Sequence, residues 1–596
     1  MSVAHYNISC PSALGHRGIS RGVSGVSGNE DNEAVHIVLD RPTRGEVSAT
    51  RIDGSGERGE SLTMPSGELA AFVAERESAP GTPPRWVWSD TRSWYPPLLE
   101  SGVTVQRCHD LALAHAILRA SALCAATALA NAPAGTWDQR SPAADSESET
   151  DHSTLFEFEP PSAPALPSAE AEFALQQDAV ATSADPGRLR LLLAAESAGA
   201  LIAAEMQHAG LPYSGERHDA LLTALLGPRP RYGRPPVMEE LVAELRGLLD
   251  APALNPDSPP EVLKALQRAG LMVTSTRSWE LRELEHPAIA PLLRYKKLSR
   301  LASANGWTWL DTWVADGRFR PDYIPGGVVT GRWATRGGGA LQLPKEVRGA
   351  VVADPGWKLV VADAAQLEPR ILTGLAADTA MAAAGRGRDL YAGIVATGAV
   401  AERAHANVAM LGAMYGATTG DSGRLMPRLA RAFPSAVRLV EDAARTGENG
   451  GIVTSRLGRS SPPPGSGWRR AQEAASASDS TPAEERRART QARDWGRFTR
   501  NFVVQSSAAE WALCWMAELR TRLSALSPPD APFTAGPHLV YFLHDEVIVH
   551  TPAELADAVA EAVAASAAAA GRLLFGDFPV DFPVTAAIVD DYGAAK

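Results

Sequence analysis

Two stretches of this sequence set carboxylates at the ends of apolar, β-rich runs. In VVADAAQLEPR, residues 360–370, a valine-rich run ends at Asp363; in HLVYFLHDEVIVH, residues 538–550, two apolar arms meet at His544, Asp545 and Glu546. Such runs read as buried strands, and the second pair as a hairpin with its acids at the tip. Asp363 also has a purely structural reading, as the N-cap of the following helix with Pro369 in its first turn. If the two strand ends are neighbours, however, their carboxylates cannot both stay charged without a cation. Magnesium suits them, because it takes carboxylate oxygens and substrate phosphates rather than a complete protein cage. Two such ions stabilise the attacking and leaving oxygens of a phosphoryl transfer. A third stretch, ERAHANVAMLGAMYGATTG at 402–420, repeats Arg403, Asn407, Leu411 and Tyr415 every four residues, which makes one stripe on a helix. That stripe fits a nucleotide lying along the helix, with Arg403 at its phosphates and Gly412 and Gly416 letting a base pair come close. An ordinary amphipathic helix accounts for Leu411 and Tyr415 but gives no reason for the glycines.

Several elements must hold these residues. A chain of 596 residues is too long for one core and predicts three or more domains. With 45% hydrophobic residues and no apolar run near the roughly 20 residues of a membrane span, it reads as soluble. No signal peptide is visible, and four cysteines without CxxC spacing indicate a reduced, cytoplasmic compartment and no zinc. The net charge of −12 argues only mildly against nucleic acid, since binding depends on where the cations sit. Residues 1–33, rich in Gly and Ser, read as a disordered extension, and 34–132 as a small α/β domain of short strands and a long helix. Residues 133–185, rich in Pro, Ser and acid, read mostly as a linker. Asp185 and Pro186 then open a long helix that Gly210 closes, and 186–596 form one large, mostly helical unit, interrupted by a flexible insertion at 460–485. Arg486, Arg489, Arg493, Arg497 and Arg500 share a helical face leading to Asn501 and Gln505, and RYKKLSR at 294–300 is a second basic patch.

Taken together, DAAQLEPR (363–370), LGAMYG (411–416) and HDE (544–546) resemble motifs A, B and C of family A DNA polymerases, in that order. TGRW (330–333), LQLP (341–344) and RFTRNFVVQSSAAEW (497–511) resemble its template and primer contact segments. The resemblance covers about residues 187–596 and is greatest to the short members of high-GC bacteria, which lack a 5′ nuclease. It implies an α/β multidomain fold, a degenerate ribonuclease H-like 3′-5′ exonuclease-type domain followed by a right-hand polymerase domain. In that domain the thumb would lie near 216–310, the palm near 311–375 and 501–596, and the fingers near 376–500. By the same resemblance Asp363 and Asp545 bind two magnesium ions with Glu546 beside them, and His544 lies near the primer end. Glu368 is the steric gate near Tyr415, with Gln366 beside it, and Arg403 holds the incoming dNTP, along whose helix Asn407 and Leu411 lie. Arg332, Arg348, Arg497, Asn501 and Gln505 contact primer-template DNA. The implied enzyme is a monomer that needs no membrane.

Three positions depart from the family pattern: Asn407 stands for a lysine, Leu411 for a phenylalanine and Tyr391 for a histidine. The N-terminal domain departs further, offering Asp40 and Glu46 at the wrong spacing for a DxE pair, with Asp90 matching one aspartate of the exonuclease pattern. The reading is thus a template-directed DNA polymerase; a non-catalytic primer-template binding protein and a 3′-5′ exonuclease are its alternatives.

Overall fold

The computed structural model describes residues 5–7, 35–43, 45–140, 168–337, 339, 343–416, 420–528 and 531–595. The expected N-terminal extension lies outside these except for β1 (His5–Asn7), an edge strand antiparallel to the last strand of the chain. β2 (His36–Asp40), β3 (Glu46–Ile52), β4 (Arg58–Pro65), β5 (Arg85–Trp88) and β6 (Arg107–Asp110) form one sheet in the order β4-β3-β2-β5-β6. β2, β3 and β4 are an antiparallel meander, and β5 and β6 add in parallel to β2. Ile37, Val38 and Leu39 are all buried because helices or chain cover both faces of β2, which is why it reads as a continuous apolar run.

The linker expected at 133–185 is a helix over Ala169–Ala181, while 141–167 lie outside the described residues. Its inward face mixes Glu172 and Gln176 with Ala169, Phe173, Ala179 and Val180, and the two polar residues break the hydrophobic period. Gln176 donates to the Leu111 carbonyl at 2.9 Å and meets His109 Nε2 at 2.8 Å, and Glu172 meets His115 Nδ1 at 2.8 Å. The insertion expected to be flexible at 460–485 likewise holds a helix, Ser466–Ser476, with no buried residue to announce it. Gln472 ties that helix to the Ala488 carbonyl at 2.9 Å. The helix Pro186–Ala209 is capped by Asp185, which accepts from the Arg188 amide at 3.1 Å, and closed by Gly210 at φ 72°. It serves two cores, since Leu201 packs with the N-terminal sheet and Leu192, Ile202 and Met206 with the larger C-terminal core.

The C-terminal unit is built on a second sheet. After the short strands β7 (Leu211–Pro212), β8 (Val314–Ala315) and β9 (Arg318–Phe319), and the hairpin of β10 (Asp322–Ile324) and β11 (Ala334–Arg336), come β12 (Trp357–Ala364), β13 (His538–Leu543), β14 (Glu546–Pro552) and β15 (Val584–Val589). The sheet order is β1-β15-β12-β14-β13, antiparallel throughout. The 45-residue helix Pro482–Leu526 and the helix Ala556–Phe575 pack together against it, burying Trp511, Trp515, Val559 and Val563. Residues 553–575 are apolar enough to cross a membrane by composition, contrary to the sequence expectation, because the run is largely alanine; half of that window is buried in this structure. Its Val563 carbonyl accepts from Trp515 Nε1 at 3.1 Å, the packing of a core helix.

Buried histidines tie the fold to pH. Burial lowers His36, His109 and His538 to about 4, and burial with the neighbouring His538 lowers His550 to about 3. Unfolded histidine binds a proton near 6.5, so their stabilising contribution is present above that pH and is lost as pH falls toward 4. Burial raises Asp110 to about 6 and Glu510 to about 7, and these two groups oppose the trend over the same window. Burial also lowers His218 and His544 and raises Glu77 and Glu196. It works to lower His115 too, but hydrogen bonds to Glu172 and Asp138 outweigh burial there and raise the group. The lowered histidines remain the larger set, so urea midpoints should fall steadily between pH 6.5 and 4.5. A flat midpoint over that range contradicts this balance.

Candidate active site

Strand register brings the separated acids together. In the β12–β14 ladder Asp363 stands directly opposite Glu546, and the Ala364 amide donates to the Asp545 carbonyl at 2.9 Å. Asp363 and Asp545 are both partly exposed. Asp363 is a strand residue and not a cap, since the helix Leu367–Leu375 begins after Gln366, three positions later. Gln366 and His544, each close in sequence to one of the two aspartates, have left-handed backbones, φ 50° and φ 57°. Non-glycine residues hold such conformations only where the surroundings impose them, and they cluster at functional sites. Glu546 is buried and accepts from the Tyr592 hydroxyl, whose ring lies 4.4 Å beneath the Arg348 guanidinium. It supports the acid cluster from within the sheet, less exposed than Asp363 and Asp545.

Among the described residues no group of three or more His, Cys, Asp or Glu forms a ready-made metal cage. Two partly exposed aspartates at adjacent strand ends are nevertheless a fitting donor set for magnesium, which keeps water and substrate oxygens in its remaining positions.

A polar chain runs outward from this cluster. Arg332 is ion-paired with Glu368 Oε1, the Tyr415 hydroxyl donates to Glu368 Oε2 at 3.0 Å, and Gln505 Nε2 reaches the same hydroxyl at 3.4 Å. Arg332, Glu368, His544 and Asp545 line the polar side of a cavity of about 80 Å³, closed on its apolar side by Trp333 and Leu513. Partial burial and the nearby Arg332 charge lower the His544 imidazole below its ordinary value. The stripe expected on one helix lies on Arg403–Tyr415, with Arg403, Leu411 and Tyr415 exposed and Asn407 partly so. Gly412 is buried, unlike the exposed Leu411 and Tyr415. Gly416, at φ 72°, has a conformational reason of its own, since it ends the helix in the left-handed region.

Sequence reasoning missed Asp389. It caps the helix Leu390–Ala396, accepts from Gln366 Nε2 at 2.8 Å, and is ion-paired with Arg403 at 2.8 Å. Burial works to raise the Asp389 carboxyl, and the hydrogen bonds from Arg403, Ala392 and Gln366 outweigh it, leaving the group below its ordinary value. Arg403 also lies 5.5 Å over the Tyr391 ring, whose hydroxyl burial pushes up to about 12. Arg370 was also missed. Buried in the helix after Asp363, it joins Ala365, Gly385 and Arg388 carbonyls to Asp581 and so fixes the backbone around Gln366. The only early sign of either was a charge beside an apolar run.

Beside the acid cluster lies a groove of about 870 Å³, lined by Arg294, Lys296, Lys297 and Arg300 and, across from them, Lys345 and Arg348. The RYKKLSR patch thus lines a solvent-open groove, with Arg294, Lys297 and Arg300 exposed and Lys297 paired with Glu346 at 2.6 Å. Of LQLP, Leu343 and Pro344 line the same groove, and Leu341 and Gln342 lie outside the described residues. The arginine stripe is less uniform than its spacing implies. Arg489 and Arg497 pair with Glu485 and Asp494, and Arg500 is largely buried, donating to the Ala413 carbonyl at 3.2 Å. Asn501 Oδ1 is buried without a partner. In the N-terminal domain Asp40 accepts from the Ala169 amide, Asp90 caps a helix and pairs with Arg140, and Glu46 accepts from Thr43, so these acids are structurally engaged.

Comparison with known proteins agrees with this arrangement. The sequence profile of DNA polymerase family A matches residues 238–593. DNA polymerase I of Chloroflexus aurantiacus is 28% identical over 229 residues, covering 33% of this chain and 24% of that protein. The thermostable DNA polymerase I of Thermus aquaticus is 24% identical over 365 residues, covering 55% of this chain and 39% of that protein. The chain thus aligns with about a quarter to two-fifths of the length of these relatives. The POL domain of Pol1 from M. smegmatis, solved in complex with DNA primer-template and dNTP, shares the fold at TM-score 0.62 and 17% identity, covering 95% of this chain and 97% of that one.

Asp389 holds Arg403, the cation expected from the sequence to meet a polyphosphate. Asp389→Asn keeps an N-cap residue and removes the competing charge. Calorimetry with inorganic tripolyphosphate should show binding tightened by about 2- to 5-fold, the scale of an exposed ion pair. Unchanged or weaker binding would show that the pair does not restrain Arg403.

Proposed function

This chain belongs to DNA polymerase family A, and on that premise we propose that it is a template-directed DNA polymerase adding dNTPs to a primer 3′ end. The observation that carries the reading is the meeting of Asp363 and Asp545 at adjacent strand ends, locked by the Ala364–Asp545 backbone bond. Asp363 and Asp545 would hold the magnesium ions. The chemistry supplied there by bound magnesium is neutralisation of the attacking and leaving oxygens.

The remaining residues bind and orient. Arg403 transfers its charge from Asp389 to the incoming triphosphate, and Leu411 and Tyr415 present an apolar surface to base and sugar. Glu368, fixed by Arg332 and Tyr415, fills the space of a ribose 2′-hydroxyl. Asn501, Gln505 and His544 face the primer end, and the cationic groove takes the duplex backbone without sequence preference. Asn407, one turn after Arg403, can donate a hydrogen bond to the leaving pyrophosphate but not a proton.

The N-terminal sheet, two parallel strands added to an antiparallel meander, supports a ribonuclease H-like exonuclease-type domain. Its acids serve as caps and ion-pair partners, so this domain is a fold without its chemistry. Three buried free thiols, Cys108, Cys124 and Cys514, suit a cytoplasmic monomer.

Single-turnover primer extension with magnesium tests the whole reading. The parent should lengthen primers slowly without trimming a mismatched 3′ end, and Asp363→Ala or Asp545→Ala should abolish extension while leaving DNA binding nearly intact. Asn407→Lys should accelerate the step by up to about 10²-fold, since an ammonium adds charge and general acid catalysis. Parental extension by either alanine variant defeats the metal assignment. A fast parent unchanged by Asn407→Lys shows that the asparagine is no defect.

A further inference from the structure

The segment that presents Arg332 is held from behind by a buried ion pair. Between β10 and β11 the chain turns through Gly326 and Gly331, both left-handed, at φ 64° and φ 81°, and the Gly331 amide donates to the Val328 carbonyl at 2.7 Å. The Arg459 side chain lies against this turn: a Cβ on Gly331 would meet its Nε at 2.5 Å and its Cζ at 3.0 Å. Arg459 is ion-paired with Glu196 of the helix Pro186–Ala209, whose carboxylate is 1% exposed. A Cβ on Gly326 would lie 3.5 Å from Glu196 Oε2, so one pair underlies both glycines.

Arg459 itself is clamped by the N-terminal domain. The Ser121 hydroxyl donates to the Gly458 carbonyl at 2.7 Å, and the Ala122 amide donates to Ser460 Oγ at 2.9 Å, so Arg459 sits between two bonds to that domain. Gly458, at φ 118°, lets Leu123 approach to where a Cβ would meet it at 2.7 Å. A continuous path of contacts therefore runs from Ser121–Leu123 through Arg459 and Gly331 to Arg332, and from Arg332 to Glu368.

We propose that Arg459 is a positioning residue for Arg332, and that the N-terminal domain acts as a brace which, through Arg459, sets the sugar discrimination of the polymerase site. The inference rests on the polymerase reading for its second half only. Loosening Arg459 lets the 326–331 turn move, Arg332 leaves Glu368, and Glu368 no longer fills the 2′-hydroxyl space. Arg459→Lys retains the charge opposite Glu196 but loses the flat guanidinium under Gly331. Gly331→Ala pushes the same two groups apart from the other side.

Hydrogen exchange of the free protein tests the brace with no activity needed. In Arg459→Lys the Gly331 amide should exchange faster while the thermal midpoint stays within a few degrees of the parent; unchanged protection in both Arg459→Lys and Gly331→Ala overturns the proposal. Primer extension then tests its consequence. Both variants should shift the rNTP-to-dNTP ratio of kcat/KM toward rNTP by about 10-fold or more, as a small misplacement can cost up to ~10²-fold, with Ser121→Ala shifting it less in the same direction. A general loss of rate at constant ratio, while Glu368→Ala does change the ratio, refutes the link to the gate. Failure of the parent to extend primers refutes the polymerase reading instead, and the exchange result still decides the brace.

Discussion

Antiparallel pairing of β12 with the β13–β14 hairpin sets the position of the acids at the centre of the site. Asp363 is opposite Glu546, and Asp545 lies at the hairpin tip beside Ala364. Because side chains alternate across a strand, a slip of one residue would send Asp363 to the other face and separate the acids. The register is secured by burial on both sides, since Val360, Val361, Val547 and Ile548 are all nearly inaccessible. The left-handed residues Gln366 and His544 mark where the chain departs sharply from that sheet. Local backbone energy there is offset by the contacts of Arg370 and of the surrounding core.

Several arginines of this acidic chain are compensated by carboxylates rather than left alone. Here Arg332, Arg403 and Arg497 are paired with Glu368, Asp389 and Asp494. Such pairs are individually weak where exposed, as Arg403 is, so under the proposed function a polyphosphate would displace the carboxylate. The Arg459–Glu196 pair differs because it is buried, and removing one partner would leave an isolated charge. It therefore suits a fixed support, whereas the Arg403–Asp389 pair suits exchange. The same chain uses one chemistry for two mechanical purposes, and burial decides between them.

How much was legible in the sequence follows from the range of each interaction. The strands ending at Asp363 and Asp545, the hairpin tip and the helical stripe from Arg403 to Tyr415 all follow local periodicity, and they stand where that pattern put them. The capping reading of Asp363 was equally local and failed, because Gln366 ends the intervening turn in a left-handed conformation no pattern announces. The helix Ala169–Ala181 hides behind inward-facing Glu172 and Gln176, and Ser466–Ser476 buries nothing. Asp389 lies 14 residues from Arg403, and Arg459 lies 263 from Glu196. Pairs at such separations leave no trace in spacing, so only the fold reveals them.

Under the proposed function Asp363 and Asp545 jointly hold divalent ions against a bound nucleotide. Manganese, read by its electron paramagnetic resonance signal, can be titrated into the chain with a dideoxy-terminated primer-template and the matching dNTP, a complex in which no bond forms. The account predicts two ions bound per chain in that ternary complex, and loss of ordered manganese in Asp363→Ala and in Asp545→Ala with the DNA still bound. Full manganese stoichiometry in both variants would contradict it.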